Sequence, residues 1–378
     1  MRTLSLALLL LSLAAGTLAG STSGLTEATT FAGSAQTRLM LRIAVIQDLQ
    51  NYCSSVPGPT TPNAEELAEG RRMLGILVRD VISMKPDIVL QVGDLADQDS
   101  SNGDDATDLD NYTLGLSNPA AAAIYNELVC IKENFFDHLD DAGIPWIEAF
   151  GNHDSYRDVE RAYPRDDFMA LSYAYAAQEE VDRYHAGYSD TEERAALFTT
   201  PIGPLCVVTA DFVNSSDLDQ SFVNTNIGCG AGRPTIVLSH DLIDVTGNNP
   251  PFAAAGNSEV FAHVYGHLTP TQPGTWQSAT KATVAGGFEV VALFTNSQEG
   301  SRSCGATSTV RDGSDVHTGN TWWATLTIDP TANSITVQAR NPYYGGIAFD
   351  PKCGNTYQNK QFALSPSFCT RFAGGPGC

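Results

Sequence analysis

The chain has 378 residues, of which 42% are hydrophobic and 9% aromatic. That is enough apolar side chain to bury a sizeable core, so the composition excludes a disordered protein and predicts one large globular domain rather than several small ones. A formal net charge of -22 at pH 7 repels phosphate backbones, and no Lys/Arg cluster forms a track, which excludes a nucleic-acid-binding surface.

In chain order, Met1-Arg2 opens a Leu-rich run from Leu4 to Ala15, followed by the small-residue site Thr17-Leu18-Ala19. A charged start, a short apolar stretch and small residues at a cleavage site predict a secretory signal peptide over 1–19, cut after Ala19. A membrane anchor needs about 20 apolar residues, more than this run holds, and no later run is long enough to span a bilayer. Residues 20–37 are small and polar without a period and read as a linker.

The folded domain is expected over 38–342. A strand is predicted at Ile43 to Ile46, a helix from Ala64 to Met84 ended by Pro86, and a strand at Ile88 to Val92. A second helix covers Pro119 to Asp141, closed by Gly143 and Pro145, and leads into a strand from Trp146 to Phe150. The segment from Tyr156 to Ala196 reads as a long loop. Further strands are expected at Leu205 to Phe212, Thr235 to Leu238, Val260 to Tyr265, Glu289 to Phe294, Trp322 to Ile328 and Ile335 to Ala339. Alternating elements followed by a strand-rich half predict an α/β domain with stacked sheets. Residues 343–378, Gly-rich and holding Cys353, Cys369 and Cys378, read as a disulfide-stapled extension.

All eight cysteines follow the signal, an even number in an oxidising compartment, and none has a zinc-ligand spacing, so disulfides are expected with the pairing left open. Asn111-Tyr112-Thr113 and Asn214-Ser215-Ser216 are glycosylation sequons. Together with the signal peptide, these features predict a secreted glycoprotein.

Polar clusters sit just past five strand ends, where α/β folds gather ligand sites. They are Asp48-Leu49-Gln50, Gly93-Asp94-Leu95-Ala96-Asp97, Gly151-Asn152-His153-Asp154, His240 and Gly266-His267. The aspartate-rich stretch from Asp94 to Asp110 lacks the Gly position and closing Glu of a calcium loop and reads as a solvated lip. His138, His185 and His317 fit no ligand spacing. His263 lies four residues before His267 along a strand, roughly 13 Å away at about 3.3 Å per residue, too far to share a metal with it.

In order and type the clusters resemble the calcineurin-like metallophosphoesterase superfamily, whose motifs run Asp-x-His, Gly-Asp-x-x-Asp, Gly-Asn-His-Asp/Glu, a lone His and Gly-His-x-His. GDLAD and GNHD match in full. The resemblance implies a four-layer α/β/β/α sandwich holding two divalent metal ions. It implies that Asp94 bridges the ions, and that Asn152, His240 and His267 complete the second seat, for Zn2+, Fe or Mn2+. The first seat would take Asp48 and Gln50, with Thr269 where the family has its last histidine. Both family imidazoles are replaced there by neutral oxygens, a donor set that suits Mn2+ or Mg2+. The Asp-x-Gln form also resembles a manganese-dependent diphosphatase branch that keeps Gly-His-x-His, a pattern from which Thr269 departs. By the same resemblance His153 is the catalytic acid or hydrogen-bond donor to the phosphoryl or leaving oxygen, with Asp154 orienting it or capping a helix.

The function this implies is a secreted phosphoesterase hydrolysing a small phosphate mono- or diester by in-line attack of a metal-bound hydroxide. The alternative is a non-catalytic secreted binding protein on the same scaffold with a degraded first seat.

Overall fold

The computed structural model describes residues 39–46, 49–53, 64–93, 95, 129–149, 185–188, 194–210, 220–240, 258–266, 277–283, 286–295, 323–340, 342, 349–350, 355–356, 359–375 and 378. Two sheets dominate. Sheet A is built from β1 (Leu41–Ile46), β2 (Ile88–Gln91), β3 (Trp146–Glu148), β11 (Trp323–Asp329), β12 (Ser334–Arg340) and β15 (Lys360–Phe362) in the order β15-β12-β11-β1-β2-β3. Sheet B holds β4 (His185–Tyr188), β5 (Arg194–Thr200), β6 (Gly203–Ala210), β7 (Thr235–Ser239), β8 (Val260–Tyr265), β9 (Gln277–Thr283) and β10 (Glu289–Thr295) in the order β4-β5-β6-β7-β8-β10-β9. The short strands β13 (Phe349–Asp350) and β14 (Asn355–Thr356) pair with each other as an antiparallel ribbon. The central strands run parallel: β1 with β2 and β2 with β3 in sheet A, and β6, β7, β8 and β10 in succession in sheet B.

These strands are near-continuous apolar runs because both faces are covered. The inner faces meet in one core that joins Ile43, Val45, Leu90 and Leu326 of sheet A to Val207, Leu238, Phe261, Val264 and Leu293 of sheet B. On the outer face of sheet A lies α2 (Ala64–Met84). Its Met73, Leu74, Leu77, Val78 and Val81, spaced to make one helical stripe, pack on Ala44, Ile46, Val89 and Trp323. Beside it a π-helical turn, Lys132–Phe136, runs into α3 (Asp137–Asp141) and adds Phe135, Phe136 and Leu139 to the same core. The outer face of sheet B is covered by α4 (Gln220–Asn226), whose Val223 packs with Ile227, Val208 and Val237. Helix, sheet, sheet, helix is the four-layer sandwich.

Polar clips fix the outer helices. Asp80 of α2 accepts from the Trp323 indole N–H at 2.9 Å and from two nitrogens of Arg340 at 3.0 and 3.1 Å. Arg340 also lies over the Trp323 ring, 5.5 Å from its centroid. The Cys53–Cys130 disulfide joins α1 (Gln50–Cys53) to the helix on the same face, closing a separation of 77 residues. Loop-closure entropy puts such a cross-link at about 4.5 kcal/mol. Cys206–Cys229 and Cys369–Cys378 are the other pairs among the described residues.

Residues Arg38–Cys378 form one compact unit, and the Cys-rich tail is built into it. β15 extends sheet A beside β12, while Leu364 and, from α5 (Phe368–Arg371) and its end, Phe368 and Phe372 enter the core between the sheets. Arg371 donates to the carbonyls of Ser258 (2.9 and 2.6 Å), Val260 (2.5 Å) and Glu289 (2.7 Å), which start β8 and β10. Burial lowers its pKa to about 10, opposed by Glu259 and Glu289, so it stays charged at neutral pH.

Six strands depart from the sequence reading, among them the two-residue β13 and β14 within the tail read as an extension. β4 and β5 occupy part of the segment read as a loop from Tyr156 to Ala196, and β9 (QSATKAT) and β15 (KQF) carried no apolar alternation. Of these, β4, β9 and β15 are sheet edges, where one face and one ladder are left to other neighbours and apolar content is not required. The start of the second predicted helix, the signal and linker segments 1–37 and both sequons lie outside the described residues.

His263 is a buried polar residue inside β8. Its Nε2 and the Ser239 hydroxyl are 2.8 Å apart and its ring stacks on Tyr265. Desolvation lowers its pKa from 6.5 to about 3, so it is neutral in the folded protein while the unfolded chain takes up a proton near pH 6.5. Below that pH the unfolded state binds more protons, and stability falls on acidification by up to about 1.4 kcal/mol per pH unit until about pH 3. Denaturant titrations between pH 7 and 4 are expected to show this slope reduced by close to one proton in His263→Gln; equal slopes would contradict the assignment. In the same assay Arg371→Met should lose about 3 kcal/mol or more, because it strands buried carbonyls, and an unchanged midpoint would mean that the tail is not part of the cooperative unit.

Candidate metal centre

Parallel strands deliver their carboxyl ends to one edge. In sheet A that edge carries Ile46, the Gln91-Val92-Gly93 turn and Glu148-Ala149; in sheet B it carries Ala210, Ser239-His240, Tyr265-Gly266 and Thr295. Within sheet A the ends are registered by Val92 N–H donating to the Ile46 carbonyl at 3.0 Å and Ala149 N–H to the Gln91 carbonyl at 2.9 Å. In sheet B, Gly266 N–H donates to the His240 carbonyl at 2.9 Å.

The two edges touch at Val92. The buried His240 ring lies with Nδ1 2.7 Å from the Val92 carbonyl oxygen. That oxygen only accepts, so Nδ1 carries a proton and in the neutral ring Nε2 carries the lone pair, the arrangement of a histidine ligand oriented by an outer hydrogen bond. Gly266 abuts the same residue: a Cβ there would lie 2.7 Å from Val92 Cγ2 and 3.3 Å from the Thr295 carbonyl oxygen, so the close approach requires glycine.

Gly93, with φ at 103°, is bracketed by the fully buried Gln91. Its N–H donates to Gln91 Oε1 at 2.8 Å and its carbonyl accepts from Gln91 Nε2 at 2.6 Å. Sequence reasoning missed Gln91; the available signal was one carboxamide in the otherwise apolar run IVLQV. Gln50 begins α1, whose seat is set by buried Leu49 and Tyr52 and by Gly70 of α2. A Cβ on Gly70 would fall onto the Tyr52 carbonyl, so α1 and α2 pack backbone to backbone.

Of the residues expected to carry chemistry, the structure describes His240 and the backbone of Gln50. Asp48, Asp94, Asn152, His153, Asp154, His267 and Thr269 lie outside the described residues, as does the acidic lip beyond Leu95. Their chain neighbours are described: Ile46 and Leu49 flank Asp48, Gly93 and Leu95 flank Asp94, and Gly266 precedes His267. The structure brings His240, Gly93 and Gly266 together through Val92. Ala149 stands on the same edge of sheet A, three positions before Asn152. Among the described residues there is no cluster of three or more His, Cys, Asp or Glu able to hold a metal.

Residues 41–277 match the family model described as calcineurin-like phosphoesterase. No protein of curated function matches the sequence significantly. Similar solved structures include a dimetal phosphatase from Danio rerio, 11% identical over 86% of this chain and 99% of that one, with a TM-score of 0.43. They also include the protein TT1561 of Thermus thermophilus, 9% identical over 80% of this chain and 99% of that one, TM-score 0.41. The NAD nucleotidase of Haemophilus influenzae is 12% identical over 77% of this chain and 48% of its own, TM-score 0.36. These three are likenesses only; the family match spans more than half of the chain. On that match the chain belongs to the calcineurin-like phosphoesterase family and is a hydrolase of phosphoric esters.

Proposed function

We propose that this chain is a secreted, metal-dependent phosphoesterase acting on small phosphate mono- or diesters, with its site on the edge where the strand ends of the two sheets meet. The observation that carries the reading is His240, buried at that edge and fixed by Val92 in the tautomer that offers Nε2. Histidines that ligate metal characteristically donate their other ring N–H to a carbonyl or carboxylate in this way.

The residues present fit a dimetal centre. Asp94, Asn152, His240 and His267 would hold one ion and Asp48, Gln50, Thr269 and the shared Asp94 the other. Oxygen donors at the first seat, Asp48, Gln50 and Thr269, favour Mn2+ or Mg2+, and the histidine-bearing second seat suits Zn2+, Fe or Mn2+. When bound, such ions lower the pKa of water and neutralise phosphate charge. The chain's own contribution is placement and proton supply. Asp94 and Asp48 lend negative charge to hold cations, and Asn152 supplies a neutral oxygen that avoids excess negative charge facing a phosphate. His153 donates a hydrogen bond or proton to the phosphoryl or leaving-group oxygen as charge develops there. The packed sandwich beneath keeps these groups on strand ends rather than on loose loops.

Secretion is supported by the signal-like start, by disulfides in an oxidising compartment and by the absence, among the described residues, of a helix long and apolar enough to cross a membrane. Replacement of two family histidines by Gln50 and Thr269 favours a second reading, a non-catalytic secreted binding protein on the same scaffold that holds one ion or none.

Chelator-stripped protein titrated with Mn2+ against an aryl phosphate diester and the matching monoester separates the two. The expected result is activity that rises with Mn2+ in a weak phase. In Asn152→Ala it should fall by more than the ~10–100-fold typical of outer-shell changes. No turnover with any divalent ion, while one ion still binds tightly, would overturn the catalytic reading in favour of the binding protein.

A further inference from the structure

The Val92 carbonyl that receives His240 and the Gly93 N–H that donates to Gln91 belong to one peptide unit. It lies just past the last residue of β2, beyond the Val92 N–H that still bonds to Ile46. Gly93 has φ at 103°. Before a glycine, a peptide plane can rotate through 180° by a paired change in the preceding ψ and the glycine φ, with little steric opposition. That rotation would carry the carbonyl away from His240. It is opposed by the Gln91 carboxamide, which grips Gly93 on both sides, accepting from its N–H at 2.8 Å and donating to its carbonyl at 2.6 Å. A peptide whose N–H is engaged is also polarised into a better acceptor at its C=O. Gln91 is fully buried between Leu90 and Val92, where a carboxamide without partners would be costly.

We infer that Gln91 is a positioning residue: it locks the Val92–Gly93 peptide with its carbonyl toward His240 and thereby sets the imidazole tautomer that presents Nε2. The consequence for metal binding rests on the proposed function; the effect on the His240 ring does not. The clamp also fixes the backbone from which the chain enters Asp94, the next residue.

The test uses the full-length, chelator-treated protein with 15N-labelled histidine. The His240 ring signals are assigned by their loss in His240→Gln, and the readouts are the ring-nitrogen shifts and Mn2+ affinity by calorimetry. The native protein should show one tautomer with the proton on Nδ1. Gln91→Leu should convert it to a mixture and weaken Mn2+ binding about 10–100-fold. Gln91→Met, closer in length, carries the same expectation if the leucine variant does not fold. An unchanged single tautomer in a folded Gln91 variant overturns the inference, whatever the metal does. A mixed tautomer with unchanged affinity sustains the positioning role and instead refutes His240 as a ligand, as would a native-like affinity in His240→Gln.

Discussion

The bond from the His240 ring to the Val92 carbonyl joins the end of β7 in one sheet to the end of β2 in the other. Elsewhere among the described residues the sheets meet mainly through apolar side chains, which resist separation strongly but set relative position along the strands only through packing, with Lys360 of β15 donating to the Ala279 carbonyl of β9 at 2.8 Å as a polar contact at their edges. At the carboxyl edge directional contacts help specify that position: the 2.7 Å hydrogen bond from His240 to the Val92 carbonyl and the approach of Gly266 to Val92 that leaves no room for a Cβ. Everything proposed for the second metal seat depends on this junction. Asp94 follows Val92 by two residues, His267 follows Gly266 directly, and His240 is in the junction itself.

The rest of the fold braces that edge from behind. α1, which starts at Gln50, is wedged against α2 at Gly70 and tied by Cys53–Cys130 to the helix packed beside it. Gln50, proposed for the first seat, therefore begins an element held by a covalent link and a backbone contact. At the other end of sheet B, Arg371 gathers the starts of β8 and β10, while Phe368 and Phe372 close the core between the sheets. Strand starts are fixed by the tail and strand ends by the junction.

Much of this was legible in the sequence because local and tertiary signals agree. The runs LRIAVI and IVLQV are mostly buried on both faces, the helix stopped by Lys85-Pro86 buries one stripe, and their residues say so. The family was legible too, since the order of carboxylate and imidazole motifs after apolar runs resembles the family whose model matches residues 41–277. What stayed hidden has a physical reason in each case. QSATKAT forms β9 because β10 offers it an edge, a tertiary circumstance without local signature. The tail read as an extension because Gly and Cys dominate it, yet Leu364, Phe368 and Phe372 reach the core one at a time with no period to betray them. The Val92 contact is made by a backbone carbonyl, a group every residue carries, and Gln91 acts on backbone alone. Asp48, Asp94, Asn152, His153 and His267 are expectations from the sequence pattern and lie outside the described residues.

Anomalous scattering from crystals grown with Mn2+ tests the central claim most directly. The account predicts two manganese peaks a few ångströms apart at the edge where β2 and β7 end, one of them within coordination distance of His240 Nε2 while Nδ1 keeps its bond to Val92. Manganese bound elsewhere, or a His240 ring turned with Nδ1 away from the Val92 carbonyl, would contradict it.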